Sequence, residues 1–128
     1  MPEFAPVSMN RYPLHVIETV KDYQHFLKEP KALLCMWFDW SPQSIRSRDD
    51  IKDWHDRWHL YVKSQVQPLY FLNGDSIPEL FEWIRESLRE TGGVGSIYLF
   101  KNQQVVESVR CIIDTGLTRI SEMCAVHY

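Results

Sequence analysis

Met36-Trp37-Phe38-Asp39-Trp40-Ser41-Pro42-Gln43-Ser44 closes an apolar run that opens at Lys31 and then turns at a serine and a proline. Lys31 to Phe38 is continuous rather than alternating, the pattern of a strand buried on both faces. Ser41 stands where a helix N-cap belongs, with Pro42 in the first turn, where a missing N–H costs nothing. The stretch therefore reads as a central strand that delivers a turn to the start of a helix.

Upstream, Leu14-His15-Val16-Ile17-Glu18 alternates apolar with polar as a short strand does, and Thr19 caps a helix carrying Val20, Tyr23, Phe26 and Leu27 that ends before Pro30. Residues 1–13 hold three prolines and no periodicity, and read as an N-terminal arm. Downstream, Ile51, Trp54, Trp58 and Tyr61 recur at helical steps, predicting a helix from about Ser44 to Val62. Gln67 to Leu72 reads as a strand closed by Asn73-Gly74-Asp75. Ser76, Pro78 and Glu79 then match a capping box for a helix carrying Leu80, Phe81, Ile84 and Leu88, stopping at Gly92-Gly93. Ser96 to Phe100 and Val105 to Ile113 read as two strands joined by Lys101-Asn102-Gln103-Gln104. Thr115 or Gly116 opens a last helix with Leu117, Ile120, Met123, Cys124 and Val126.

The order β-α-β-α-β-α-β-β-α is that of the thioredoxin-like superfamily, which the chain resembles in two stretches. One is the apolar strand through Trp37 and Trp40 to Ser41-Pro42-Gln43-Ser44. The other is Gly93-Val94-Gly95-Ser96-Ile97-Tyr98-Leu99-Phe100-Lys101-Asn102, similar to the family's glycine, Ile-Pro, apolar strand and Phe-Lys-Asn hairpin. The resemblance implies an α/β thioredoxin-like fold over residues 14–128, a central mixed sheet of about five strands flanked by about four helices.

Set against that family, the chemistry is missing. Thiol-disulfide exchange needs a thiolate at a helix N-terminus and a second cysteine to resolve the mixed disulfide. Ser41 and Ser44 occupy those positions, and a hydroxyl neither forms nor resolves a disulfide. The family's buried aspartate corresponds to Cys35 and its cis-proline to Gly95, which is not expected to impose a cis bond. Asp39 remains nearby, on the turn rather than in the core. A redox-inactive member is implied.

Composition narrows the rest. The chain has 128 residues, 45% hydrophobic and 24% charged, enough for a core that buries roughly two-thirds of the unfolded surface. Its 14 Lys and Arg against 17 Asp and Glu leave no basic footprint for nucleic acid. No apolar run approaches the ~20 residues of a membrane span, and no secretory signal is legible, so a cytoplasmic protein is expected. Three widely spaced cysteines, Cys35, Cys111 and Cys124, do not make a disulfide framework.

Among chemistry-bearing residues, Ser41 as an activated hydroxyl would resemble serine-type glutathione transferases, but the added helical domain of those enzymes is not present; N-capping is the simpler role. No Gly-x-Ser-x-Gly elbow supports a Ser-His-Asp hydrolase. His55 and His59 have the spacing of two metal ligands but no third is evident, and they read as surface histidines beside packed tryptophans. Trp54, Trp58 and Trp83 sit at helical spacing and read as core or half-buried anchors. Cys35 and Cys124 read as buried. Cys111 falls near the loop that borders the turn in thioredoxins, as a lone thiol there or an inert strand residue. Trp40, beside a surface turn, is expected to be partly exposed and suited to protein contact.

The expected binding surface is Trp40, Ser41, Pro42, Gln43, Ser44, Gly95 and Cys111, engaging a protein or peptide partner with no cofactor and no metal. The alternatives are a small-thiol or glutathione binder using Ser41, and an assembly subunit whose exposed aromatics make a homodimer contact.

Overall fold

The structure is a computed structural model that describes residues 14–58, 67–88, 95–110 and 116–127. The expected arm 1–13, His59, Tyr61, the Gly92-Gly93 stop, Cys111 and Thr115 lie outside the described residues. In chain order the elements are β1 Leu14–Ile17, α1 Val20–Leu27, β2 Lys31–Trp37, α2 Pro42–Asp56 and β3 Leu69–Asn73. A composite helical segment, α3, follows over residues 78–88: a 3-10 turn Pro78–Leu80, one α turn Phe81–Trp83 and a wide π turn Ile84–Leu88. Then come β4 Ser96–Lys101, β5 Gln104–Arg110 and α4 Gly116–His127.

The strands form one sheet in the order β1-β3-β2-β4-β5. β3 runs parallel to both β1 and β2, whereas β2–β4 and β4–β5 are antiparallel. This is the mixed thioredoxin-like sheet, and it explains the apolar run: β2 is flanked on both edges and covered on both faces. Alternation sends Leu33 and Cys35 to one face and Leu34 and Met36 to the other. On the first face they meet Ile51, Trp54 and Trp58 near α2 and Ile120, Met123 and Cys124 of α4. On the second they meet Phe26 of α1 and Leu80, Ile84 and Leu88 of α3.

Each layer is tied by more than apolar area. The Trp54 indole N–H donates to Ser121 Oγ at 2.8 Å, joining α2 to α4. On the opposite face Phe26 sits edge-on to Tyr70 and Phe100, with ring centroids 5.0 and 4.9 Å away, geometry that aromatic pairs favour. Tyr70 donates its hydroxyl proton to Glu29 Oε2 at 2.7 Å, and burial pushes its pKa up. Thr19 caps α1 as expected, with Asp22 closing the box by accepting from the Glu18 and Thr19 N–H groups.

Several local expectations are corrected. In β1 it is His15 and Ile17 that face the core, His15 stacked on Tyr70 at 4.6 Å, while Leu14 and Val16 are exposed. β1 is an edge strand, where tertiary packing rather than side-chain polarity chooses the inner face. α2 runs Pro42–Asp56 with Arg57 as its C-cap, and Trp58 is helical again; the expected continuation to Val62 lies outside the described residues. Ser76 does not cap a helix: its hydroxyl donates to the Asn73 carbonyl at 2.9 Å, and the 3-10 turn starts after Ile77 without a side-chain cap. Phe81 and Val126, read as apolar-face residues, are exposed. The β4–β5 connection shortens to Asn102-Gln103, both at positive φ (51° and 71°), the backbone of a two-residue hairpin.

The ends of β2 and β3 are joined at Gly74, whose N–H donates to the Trp37 carbonyl at 2.7 Å. The Phe38 ring lies over this glycine: a Cβ there would stand 2.3 Å from a Phe38 ring carbon. Phe38 is buried among the second-face residues and has little room to withdraw. Gly74→Ala is therefore expected to cost about 1–3 kcal/mol by overpacking, read as a lower urea midpoint at unchanged slope.

Candidate functional site

The Ser41 turn is built at the point where β2 leaves the sheet. The Ser41 N–H donates back to the Phe38 carbonyl at 3.1 Å, closing the turn. Ser41 adopts extended backbone (φ −112°), and its hydroxyl accepts from the Ser44 N–H at 3.2 Å, with Pro42 opening α2. Both are the N-terminal devices expected from the sequence.

Ser44 is more deeply committed. Its Oγ accepts from the Phe38 N–H at 2.9 Å and lies 2.8 Å from the Phe38 carbonyl and 2.9 Å from the Ser41 carbonyl, between which its one proton is shared. The side chain is fully buried. One hydroxyl thus satisfies the backbone of the residue after β2 and anchors the first turn of α2. Ser41 retains 7% of its exposure.

Gly95 brings the start of β4 onto the same turn. Its φ is +85°, in the region glycine adopts without strain, and a Cβ there would stand 2.9 Å from Ser47 Cβ and 3.2 Å from Ser44 Cα. Ser47, one turn after Ser44 and itself buried, donates to the Gln43 carbonyl at 3.1 Å. Small residues on both sides let the two backbones approach. Ser47 was not singled out from the sequence, although a serine three residues after Ser44 on the same helix face was the available signal. Ser96, next to Gly95, has a buried Oγ without a hydrogen-bond partner, but it shares the strand face of Tyr98 and Phe100 and so points away from α2.

What the turn presents outward is Trp40, 63% exposed, together with Pro42 and Gln43. The Trp40 indole N–H donates to Asp75 Oδ2, and its ring lies 5.5 Å from that of Phe38. Asp75 is the second residue that sequence reading missed, because Asn73-Gly74-Asp75 carries a turn signal whatever it touches. The Asp75 N–H donates to Asn73 Oδ1 at 3.1 Å, which fixes the acid in place. Asp39 is exposed beside Trp40. Of the expected surface, Trp40 to Ser44 and Gly95 are brought together; Cys111 lies outside the described residues.

Beneath the turn, Trp37 carries the Arg48 guanidinium at 4.4 Å from its ring centroid. Cys35 is completely buried in the core, and burial drives its thiol pKa far up. Burial, with Glu107 adding to it, pushes Cys124 up to about 12. Both are held as neutral thiols.

His55 corrects the expectation of a surface histidine. It is buried between Trp54 and Trp58, and its Nε2 lies 2.7 Å from the Gln67 carbonyl, to which it donates as a neutral ring. Burial lowers its pKa, against the opposing pull of the Gln67 carbonyl and Asp56. The ring therefore links the end of α2 to the approach of β3. Among the described residues no three His, Cys, Asp or Glu side chains gather as a metal site, and no helix is long and apolar enough to cross a membrane.

No protein-family model matches the sequence, and no curated protein matches it. Solved structures do. The chain is similar to thioredoxin O2 of Arabidopsis thaliana in its oxidised state (TM-score 0.66, 12% identity, 92% of this chain and 96% of that one). It is similar to Plasmodium falciparum thioredoxin (0.65, 10%, 85% and 97%) and to Fasciola hepatica thioredoxin (0.64, 11%, 89% and 99%). The fold is thioredoxin-like.

Ser44→Ala is expected to leave the Phe38 N–H without its partner and to cost about 1–3 kcal/mol, whereas Gln43→Ala, at an exposed side chain, stays within about 0.5 kcal/mol; urea titration of both checks this. For His55, the folded pKa lies below the unfolded value of 6.5. The unfolded chain therefore binds the extra proton first, and stability falls as pH drops below that value. Wild type should lose stability between about pH 7 and pH 5 relative to His55→Gln; parallel slopes for the two would remove this role.

Proposed function

We propose that the chain is a redox-inactive thioredoxin-like protein that binds a protein or peptide partner through the Trp40, Pro42 and Gln43 surface of the turn. The observation that carries this reading is the division of labour at the turn. The Ser44 hydroxyl is buried in a backbone network and the Ser41 hydroxyl caps α2, while Trp40 is left 63% exposed with its indole oriented by Asp75. Polar groups are spent on structure and a large aromatic faces outward, the residue type that dominates protein interfaces. Folds outlast their first chemistry because function resides in sites. A reducing, cytoplasmic setting fits the unpaired, buried Cys35 and Cys124.

The glutathione reading requires the Ser41 hydroxyl to face a ligand thiolate, and its 7% exposure and its capping bond weigh against that. A homodimer contact through exposed aromatics would use the same Trp40.

Trp40→Ala is expected to weaken partner capture by about tenfold or more, as loss of an aromatic anchor does, with an unchanged far-ultraviolet spectrum. Capture equal to wild type removes the proposal. Calorimetric titration with millimolar glutathione is expected to give no heat; saturable heat lost in Ser41→Ala would favour the small-thiol reading instead.

A further inference from the structure

Two large aromatic side chains near the carboxyl ends of the parallel strands are not consumed by the core. Trp40 is 63% exposed and Phe81 43% exposed. Trp40 is bonded to Asp75, and Phe81 follows Asp75 by six residues on the segment that leaves β3.

The polar residues accompanying them have one sign. Residues 73–88 carry Asp75, Glu79, Glu82 and Glu86, all exposed, against a single Arg85 that pairs with Glu86 at 3.8 Å. Asp39, adjoining Trp40, is also exposed. In α2, Arg48 is engaged over Trp37 and with Asp49 at 3.1 Å, while Arg46 and Lys52 are exposed. An indole face edged by carboxylates attracts cations twice, through the ring quadrupole and through charge. The same field repels phosphate, so nucleic acid and anionic lipid do not fit.

We propose that the Trp40 surface is specific for a basic segment of its protein partner, with a lysine or arginine laid on the Trp40 indole and its charge facing Asp75 and Asp39. This rests on the reading of Trp40 as a binding residue and adds the chemistry of what it binds. The indole N–H takes Asp75 Oδ2, leaving Oδ1 for an incoming cation. The bonds from Trp40 and to Asn73 hold the carboxylate before the partner arrives, so little ordering accompanies binding. To residues that follow in the segment the proposal assigns Glu79 and Phe81, both exposed, four and six residues after Asp75.

The test is selection of random dodecapeptides displayed on phage against the whole protein, followed by fluorescence anisotropy of the enriched sequences at low and high salt. The expected result is enrichment of net-positive peptides bearing arginine or lysine beside an apolar residue. Their affinity should fall about 5- to 20-fold in the Asp75→Asn/Glu79→Gln double variant and fall with added salt. Asparagine keeps an amide oxygen for the Trp40 N–H, so that variant changes charge with little change in geometry, which the circular dichroism spectrum verifies. Neutral or acidic peptides, no enrichment, or affinities unmoved in the double variant overturn the inference. The two readings separate cleanly: uncharged peptides that still need Trp40 sink the basic partner alone, whereas peptides indifferent to Trp40→Ala remove the binding surface as well.

Discussion

The upper end of this molecule depends on how β2 stops. A strand buried on both faces delivers its last peptide groups into a region without water, where each N–H and C=O must find a partner. Phe38 is the first residue past the β2 ladder, and the Ser44 hydroxyl accepts its N–H while its carbonyl receives the Ser41 N–H and shares the Ser44 proton. Two residues later Trp40 emerges, and its direction is set by Asp75 on the neighbouring turn. Strand end, helix start and exposed aromatic are consequences of one satisfied peptide group.

That constraint also gives serine a positive role at position 44. A thiol is a weak donor and a weak acceptor, and it would serve the Phe38 N–H poorly. A hydroxyl meets both demands of a buried strand terminus. The close approach of Gly95 depends on the same helix turn, because Ser44 and Ser47 present little bulk where β4 begins. The polar atoms of both serines at the turn, Ser41 and Ser44, bond inward.

Fold and site were legible to different depths for physical reasons. A central strand must be apolar throughout, and a helix over it must repeat at helical spacing, so Lys31 to Phe38 and Ile51, Trp54 and Trp58 declared themselves whatever the remaining sequence does. Edge elements are less determined. β1 alternates either way, and only packing against Tyr70 decides that His15 turns inward. Ser76 fits a capping pattern, yet the carbonyl of Asn73 is nearer and captures its hydroxyl. His55 beside two tryptophans reads as surface until the Gln67 carbonyl, twelve residues away, is brought to its Nε2. Similarity to solved thioredoxins at 10–12% identity follows from the same asymmetry: burial pattern and strand order specify the sheet, while many sequences satisfy them.

Pairings across the chain were the part that residue types could not give. Trp40 was expected to be exposed, but exposure alone describes a loose aromatic, and a loose aromatic loses entropy when it binds. Asp75 changes what Trp40 is. Held by Asn73 at its amide and by the indole at its carboxylate, it turns an exposed ring into an oriented one and places a negative charge at its edge. Ring and carboxylate are thereby held side by side on the outside of the molecule. This arrangement arises because the β2 and β3 ends are stitched through Gly74, so that the Trp40 and Asp75 turns meet. The orientation of Trp40 is therefore a property of strand registration, carried to the outside by a glycine that Phe38 leaves no room to replace.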